Sequence, residues 1–169
     1  MAADLCSNAD TNILLRYLPL LRSLVATLAS AADRTAGAFE LCIPHIVVQE
    51  LDGLKTSTKM TARALLAADA ESGSTSGQAS VGSLSRAASN WLLSCLPEPG
   101  CERQPTFVRG QRQHESLMPR VNGRRQSGSN DDEILDVARY WHESGRDAQV
   151  VLLSDDRNLC LKARCVLQI

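Results

Sequence analysis

Strand-length aliphatic segments alternate with segments of helical spacing along most of this chain. The pattern predicts strands at residues 4–10, 39–43, 150–153 and 166–169, and helices at 13–32, 44–55, 60–70, 83–95, 130–143 and from 156. Pro19 interrupts the first helical segment, either as a kink or as the first residue of a second helix. Strands that are separated by helices pair in parallel, with helices covering both faces of the sheet. The order β-α-β-α-α-α-β-α-β therefore predicts an α/β fold built on a parallel sheet.

Two stretches interrupt this alternation and predict flexible inserts. Nine of the twelve residues at 72–83 are Ser, Thr or Gly, a composition typical of flexible segments, and we place this insert at about residues 71–83. A second stretch, rich in Arg, Gln, Gly and Ser, predicts another insert at about residues 103–129. The pieces on either side are too short to fold alone, so we predict one domain over residues 1–169.

Composition excludes several classes of protein. The net charge of −1 means that no global cationic field draws the chain onto nucleic acid, so any such binding needs a local basic patch. No apolar run approaches the roughly 20 residues of a membrane span, and none of the six cysteines lies in a Cys-x-x-Cys pair. We therefore expect no membrane segment, no zinc knuckle and an intracellular, reducing environment. No Gly-x-Gly-x-x-Gly string follows the first strand, so no nucleotide cofactor is expected.

Acidic residues lie where the predicted strands end. Asp10 follows the first strand, Glu50 lies in the helix after the second, Asp131 begins the helix at 130–143, and Asp156 follows the strand at 150–153. In open parallel sheets, ligands bind beyond the carboxyl ends of the strands. We therefore expect these four side chains to converge at one edge.

Helical spacing indicates which acid of each neighbouring pair points inward. Asp131 falls on the apolar stripe of its helix, whereas Asp132 and Asp136 fall on the opposite stripe and are expected to face water. By the same spacing Asp156 aligns with the buried side of the last helix, and Asp155 is expected to cap that helix.

Helix capping is the alternative explanation for each acid taken alone. Asp, Asn and Ser are favoured N-caps, and Asn130 with Glu133 can form a capping box. Four carboxylates at one edge, however, repel one another and raise each other's pKa values unless a cation neutralises them. Mg²⁺ and Mn²⁺ favour carboxylate oxygens. The set therefore indicates a metal-dependent site for phosphoryl chemistry.

These motifs together resemble those of the PIN-domain ribonucleases. The matching strings are Asp10-Thr11-Asn12, Ile43-Pro44 with Glu50-Leu51-Asp52-Gly53-Leu54, Asn130-Asp131-Asp132-Glu133-Ile134-Leu135, and Leu152-Leu153-Ser154-Asp155-Asp156-Arg157-Asn158-Leu159. They look closest to the eukaryotic RNA-surveillance members, the nuclear transcript quality-control endonuclease first and the nonsense-mediated decay endonuclease next. The resemblance implies a Rossmann-like sheet and an endoribonuclease that hydrolyses single-stranded RNA with water activated by Mg²⁺ or Mn²⁺.

The resemblance also implies a role for individual residues. Its acidic tetrad, the catalytic and metal-binding set, maps to Asp10, Glu50, Asp131 and Asp156, and its supporting polar residues map to Asn12, Asp132, Ser154 and Asp155. Members of this group are commonly parts of larger proteins, so we expect further domains in a parent protein, and a nuclear rather than cytoplasmic location.

An arginine-rich segment directly precedes the acidic helix at 130–143. Arg109, Arg112, Arg124 and Arg125 are the expected contacts to the RNA backbone, with this mobile segment closing over the strand. The alternative is a solvated loop that binds nothing.

Two other functions compete with the nuclease. The first is a catalytically silent PIN fold that binds RNA or protein as a scaffold; silent members typically lose tetrad acids, and this chain keeps all four. The second is a receiver-like phosphorylation switch, which needs a partner Lys on a later strand, and we find no such lysine in the sequence.

Overall fold

The computed structural model describes residues 4–30, 39–62, 78–95, 107–118, 120–121, 124–125, 128–144 and 148–167. The strands are β1 Asp4–Ala9, β2 Phe39–Ile43, β3 Met60–Ala62, β4 Gln78–Ser80, β5 Val108–Gly110, β6 Arg120–Val121, β7 Arg124–Arg125 and β8 Ala148–Leu153. The helices are α1 Thr11–Arg16, α2 Leu18–Ser30, α3 His45–Leu54, α4 Val81–Cys95, α5 Asn130–Glu143 and α6 Arg157–Leu167.

A four-stranded parallel sheet forms the centre of the fold. Its strand order is β5-β2-β1-β8, and β1 pairs in parallel with both β2 and β8. Helices flank this sheet, which confirms the predicted α/β class and parallel pairing. Two small antiparallel ladders, β3 with β4 and β6 with β7, lie outside the central sheet.

The two central strands of the sheet, β1 and β2, are buried on both faces, as is typical of parallel sheets. On one face, Leu41 and Ile43 of β2 belong to a core that includes residues of α1 to α4, such as Leu14 and Trp91. On the other face, Cys42 of β2 packs in a smaller cluster with residues of β1 and α5. The position of β1 between β2 and β8 places its end at the middle of the sheet.

The first strand forms although its sequence is partly polar. Ser7 is 3% exposed and Asn8 is fully buried, between apolar neighbours such as Ala9. Strand β1 has a hydrogen-bonded neighbour on each side, so its backbone is satisfied whatever its side chains are. Pairing with two neighbours therefore compensates for weak strand composition.

Two predicted elements differ from the structure near their ends. Residues 60–62 form β3 rather than the start of a helix, because they pair with residues 78–80; residues 63–70 lie outside the described residues. Of the last strand predicted at 166–169, Val166 and Leu167 belong to α6 instead, because Val166 continues the helical spacing of Leu159 and Ala163; residues 168–169 lie outside the described residues. Short apolar runs fit either pattern.

The predicted inserts contain regular structure. Residues 78–80 form β4 and Val81 begins α4, so only residues 71–77 of the first insert lie outside the described part of the chain. In the second insert, Val108–Gly110 pairs in parallel with β2 as the edge strand of the central sheet. A strand of three residues is too short to show periodicity. It was therefore not predicted within a segment whose composition is typical of a flexible insert.

None of the helices in the described part of the chain has the length and apolar character needed to cross a membrane.

Candidate functional site

The carboxyl end of β1 lies beside that of β8. Ala9 pairs with Leu153, and the Asp10 amide donates to the Leu153 carbonyl over 3.0 Å. Asp10 and Ser154, the residues that follow these two strands, therefore lie side by side. This is the edge at which the sequence predicts an acidic site.

Ser154 connects Asp10 to Asp156. Its hydroxyl donates to Asp10 Oδ2, and the same oxygen accepts from the Asp156 amide over 3.0 Å. Each carboxylate also caps a helix: Asp10 Oδ1 accepts from the Ile13 amide at 2.9 Å, and Asp156 Oδ1 accepts from the Asn158 amide at 2.7 Å. Asp156 is thus the cap of α6, a role that we had expected for Asp155.

Burial makes the charge of Asp10 costly. The residue is 3% exposed, and this burial raises the pKa of its carboxyl above the ordinary value. The hydrogen bonds from Ser154 and Ile13 oppose the shift, while the negative charge of Asp156 adds to it. A nearby cation would reverse this penalty by stabilising the ionised carboxylate.

Glu50 joins α3 to two other elements at the same edge. The Thr11 hydroxyl donates to Glu50 Oε2, and Asn130 Nδ2 donates to Glu50 Oε1 over 2.6 Å. Since Thr11 follows Asp10 and Asn130 precedes Asp131, Glu50 lies between the first and third acids of the predicted tetrad. Hydroxyl and amide groups thus link the acidic residues.

The start of α5 carries a capping box and an ion-pair cluster. The Ser129 amide donates to Asp132 Oδ2 over 2.8 Å, so Ser129 and Asp132 form the box that we had predicted for Asn130 and Glu133. These bonds from Ser129, aided by Lys162, lower the pKa of Asp132. Lys162 Nζ contacts Asp131 Oδ2 at 3.2 Å and Asp132 Oδ1 at 3.1 Å.

The remaining supporting residues lie at the rim. Asp155 is exposed and forms an ion pair with Arg16 of α1. Asn12 is exposed on the first turn of α1, and its backbone amide helps to stabilise the Asp10 carboxylate.

The acids share an edge without forming an assembled metal centre. Among the described residues, no group of three or more His, Cys, Asp or Glu side chains is arranged as a ready ligand set. In the same part of the chain, no Lys, Arg or His forms an ion pair with Asp10, Glu50 or Asp156. Among the described residues, the partners of these three carboxylates are therefore hydroxyl and amide donors rather than cationic side chains.

Arg109 has a structural role, in contrast to the RNA contact that we had predicted. Its guanidinium donates to Glu40 and, over 2.7 Å, to the buried Glu115, and it lies 4.9 Å from the centre of the Trp141 ring. Only 11% of its side chain is exposed. These contacts fix β5 and the following loop to the sheet and to α5. The remaining guanidinium nitrogen, Nη2, has no hydrogen-bond partner among the described residues but is buried, so it is not presented to a phosphate at the surface.

Of the other three predicted arginines, the structure describes the side chain of one and only the backbone of two. Arg112 is exposed, and its backbone amide donates to Glu115. Arg124 and Arg125 form β7, which pairs with β6, but their side chains lie outside the described residues. Three of the four residues in this ribbon are arginines.

Asp136 is buried, although the helical spacing of α5 predicted that it faces water. It is 4% exposed and accepts from the Ser116 hydroxyl and, over 3.0 Å, from the Leu117 amide. The loop at 111–118 covers this side of α5, so the side chain faces a loop rather than water.

Sequence reasoning missed Thr11, Asn130 and Lys162 as site residues. Thr11 and Asn130 are direct neighbours of tetrad acids, so the motifs contained them without showing their partners. Lys162 is separated from its partners by 31 and 30 residues. No local spacing connects residues so far apart, and only the packing of α6 against α5 reveals the contact.

A separate apolar cavity of about 440 Å³ lies between α3, α4 and β5. Val48, Leu92, Leu93 and Val108 contribute to its lining, and none of the four acids does. The chemistry of the acidic edge is therefore distinct from this cavity.

Comparison with known proteins was consistent with these observations. The family model described as "PIN domain" matches residues 9–166. The chain is similar to "Transcriptional protein swt1" of Schizosaccharomyces pombe, with 35% identity over 154 residues that make up 91% of this chain and 25% of that protein. It is also similar to "Transcriptional protein SWT1" of Saccharomyces cerevisiae, with 30% identity over 157 residues, 91% of this chain and 28% of that protein. The chain thus spans about a quarter of the length of these relatives.

Proposed function

The chain belongs to the PIN-domain family, and from this premise we propose that it is a divalent-metal-dependent endoribonuclease acting on single-stranded RNA. The observation that carries the proposal is the linked acidic edge. Ser154 connects Asp10 to Asp156, and Thr11 and Asn130 connect the same edge to Glu50. Residues from all four sequence motifs therefore lie in two hydrogen-bonded groups, which adjoin through the peptide bond between Asp10 and Thr11.

The donor set fits a hard divalent cation. Asp10, Glu50, Asp131 and Asp156 offer carboxylate oxygens, which Mg²⁺ and Mn²⁺ prefer to softer ligands. Asp10 is buried with a raised pKa, and a cation would remove the cost of ionising it. When bound, the ion would polarise a phosphate oxygen and activate a water molecule for attack on phosphorus.

The chain's own residues supply orientation. Ser154 holds Asp10 and Asp156 in fixed relation, and both carboxylates are also fixed as caps of α1 and α6. Thr11 and Asn130 orient the two oxygens of Glu50. These hydrogen bonds restrain the carboxylate side chains, so less side-chain freedom has to be lost when metal and phosphate bind.

A cleavage assay on the purified chain tests the proposal. Single-stranded RNA should be cut in Mg²⁺ or Mn²⁺ and not in EDTA, and D10N, E50Q, D131N and D156N should each lose at least about 10²-fold in rate. Asp52→Asn is the matched control, because Asp52 is exposed on α3 and pairs only with Lys55 in the described part of the chain. Cleavage that survives EDTA or the D10N substitution would refute a metal-dependent nuclease.

The silent scaffold remains a second candidate because of one observation. The described carboxylates do not form a ready ligand set of three or more, so a protein that binds RNA without cutting it would look similar. The two functions differ in metal binding. A scaffold would bind RNA equally well in EDTA, and its thermal unfolding would not respond to Mn²⁺.

We also propose a role in nuclear RNA surveillance within a larger parent protein. The relatives are named transcriptional proteins, and the chain covers only 25% and 28% of their lengths. Imaging of the tagged parent protein, together with crosslinking to RNA, tests both statements. A protein that is excluded from the nucleus would contradict the proposal.

A further inference from the structure

We propose that Lys162 is a positioning residue that competes with the divalent ion for Asp131. The lysine holds the start of α5 to α6 in the metal-free protein, and an ion that uses Asp131 Oδ2 must displace it. This inference rests on the proposed function, because it concerns the metal that the acidic edge is proposed to bind.

Lys162 Nζ uses its full hydrogen-bonding capacity at this position. It contacts Ser129 Oγ at 3.0 Å, Asp131 Oδ2 at 3.2 Å and Asp132 Oδ1 at 3.1 Å. An ammonium group has three hydrogens and no acceptor, so three oxygens satisfy it completely. The group therefore occupies one oxygen of a tetrad acid.

Asp131 differs from the other tetrad acids in its counter-charge. Across the described ranges, Asp10, Glu50 and Asp156 form no ion pair, whereas Asp131 is paired with Lys162. A divalent ion that needs this carboxylate meets a cation already bound to it. The two cations repel and also share one ligand, so each weakens the binding of the other.

Lys162 can keep its contact with Asp132 when it leaves Asp131. The capping box fixes Asp132 through the Ser129 amide at 2.8 Å, independently of Lys162. The Lys162 side chain is 39% exposed, so it can leave Asp131 without unpacking α6. Displacement by the ion therefore breaks one contact of the lysine and keeps two.

A substitution of Lys162 should have opposite effects on the stability of the metal-free protein and on its affinity for Mn²⁺, and this distinguishes the proposed role from a merely structural one. Lys162→Met should lower the melting temperature in EDTA, because two neighbouring carboxylates lose their cation. It should also tighten Mn²⁺ binding by about two- to fivefold, the scale of an exposed ion pair. A residue with only a structural role would lower stability without tightening metal binding.

Titration calorimetry with Mn²⁺ and thermal unfolding test the inference on three matched variants. Lys55→Met is the control, because it makes the same change in net charge at a lysine of similar exposure, 42% of the side chain against 39% for Lys162, which pairs with Asp52 on α3 over 2.8 Å. Lys162→Arg keeps a cation and should stay close to the wild type. In the Asp131→Asn background, Lys162→Met should give no gain in affinity, because the contested ligand is gone.

The outcomes separate the two proposals. A wild-type protein that does not bind Mn²⁺ overturns the metal-dependent nuclease and this inference together. A wild-type protein that binds Mn²⁺, with Lys162→Met binding no more tightly than Lys55→Met, overturns this inference alone. A gain that persists in the Asp131→Asn background would also overturn it.

Discussion

At the residue scale, the geometry of Asp10 allows helix capping and the proposed metal-binding role at the same time. Its Oδ1 accepts from the Ile13 amide at 2.9 Å, which caps α1, while its Oδ2 accepts from Ser154 at the acidic edge. A carboxylate has two oxygens with separate lone pairs. The cap fixes the side chain, and the second oxygen is left in a defined direction.

Asp10→Asn is expected to stabilise the metal-free protein at neutral pH. Because burial raises the pKa of Asp10, the stability that this group contributes is complete below its unfolded pKa and is lost as the pH rises through the raised folded value. Asparagine keeps an oxygen for Ile13 and carries no charge to bury. Urea unfolding in EDTA should therefore show a stability advantage of the variant that widens with pH.

Asp10→Ala serves as its control. Alanine removes the charge and also the cap, which should cost about 1 kcal/mol relative to asparagine. A constant difference between Asp10→Asn and the wild type at all pH values would show that the carboxyl is not shifted.

Asn8→Leu is expected to raise the free energy of unfolding by about 1–3 kcal/mol. Asn8 is fully buried in β1, and neither polar atom of its side chain has a hydrogen-bond partner among the described residues. Leucine has the same number of side-chain heavy atoms and no polar group to desolvate. Denaturant unfolding measures the change, and a loss of stability would mean that the amide has a partner after all.

Two predictions about single residues were wrong because the sequence does not show which distant segments pack against them. Helical spacing placed Asp136 on the water-facing stripe, yet the loop at 111–118 covers it. Composition placed Arg109 in a basic segment, yet Glu40, Glu115 and Trp141 surround it. Spacing within one element cannot show which distant segment packs against it.

At the element scale, the bounds of α5 were predictable, whereas the three-residue strands were not, and the helix predicted at 13–32 is two helices, α1 and α2. Helix α5 spans Asn130–Glu143, the bounds that its spacing predicted, because fourteen residues give several helical turns. Strands β3 and β5 have three residues each, and their pairing partners decide their structure. Whether these residues form strands depends on contacts with distant parts of the chain, which the local sequence does not show.

Two glycines in neighbouring helices are expected to respond oppositely to alanine. A Cβ on Gly82, at the start of α4, would lie 2.6 Å from the Lys55 carbonyl oxygen, whereas one on Gly53 of α3 would meet nothing within 4 Å. Gly82→Ala should therefore destabilise the protein by about 1–3 kcal/mol. Gly53→Ala should stabilise it by about 0.5–1 kcal/mol through helix propensity.

Chemical denaturation of both glycine variants measures these changes. Equal effects of the two substitutions would contradict the close approach of α4 to the end of α3.

Asp136→Ala is expected to destabilise the loop at 111–118 together with α5. The substitution leaves the Leu117 amide and the Ser116 hydroxyl without their acceptor, which should cost about 1–3 kcal/mol. Arg139→Ala is the matched control on the same helix, because Arg139 is exposed and pairs only with Glu143 in the part of the chain described; it should change stability by less than about 0.5 kcal/mol.

Hydrogen exchange of the Leu117 amide gives the local measurement for this pair. Unchanged protection in Asp136→Ala would show that Asp136 does not hold the loop.

At the scale of the whole molecule, parallel pairing explains why the acidic edge was predictable. Strands that run in one direction bring their carboxyl ends together, so residues near positions 10 and 154 meet without any local signal between them. The network that links the acids was not predictable. The hydrogen bonds of Thr11, Asn130 and Lys162 depend on how the helices pack against one another. The sequence does not show this packing closely enough to tell which side chains come within bonding distance.

The distribution of charge over the molecule gives the last prediction, which concerns RNA binding. With a net charge of −1, the protein must hold a phosphate backbone through local cations. Arg112 is exposed, and Arg124 and Arg125 lie in the ribbon that precedes α5. Changing these three residues to Ser together should weaken RNA binding and reduce the steepness of log K against log salt by about two units.

The matched control changes Arg86, Arg139 and Arg164 to Ser, which alters the net charge equally at exposed positions on α4, α5 and α6. Fluorescence anisotropy with a labelled single-stranded RNA at several salt concentrations measures both sets. Arg109→Met should act differently from either, lowering stability because Glu40 and Glu115 lose their shared cation. If the two triple variants bind RNA with the same salt dependence, the segment at 112–125 does not contact the backbone, and the RNA must reach the acidic edge by another surface.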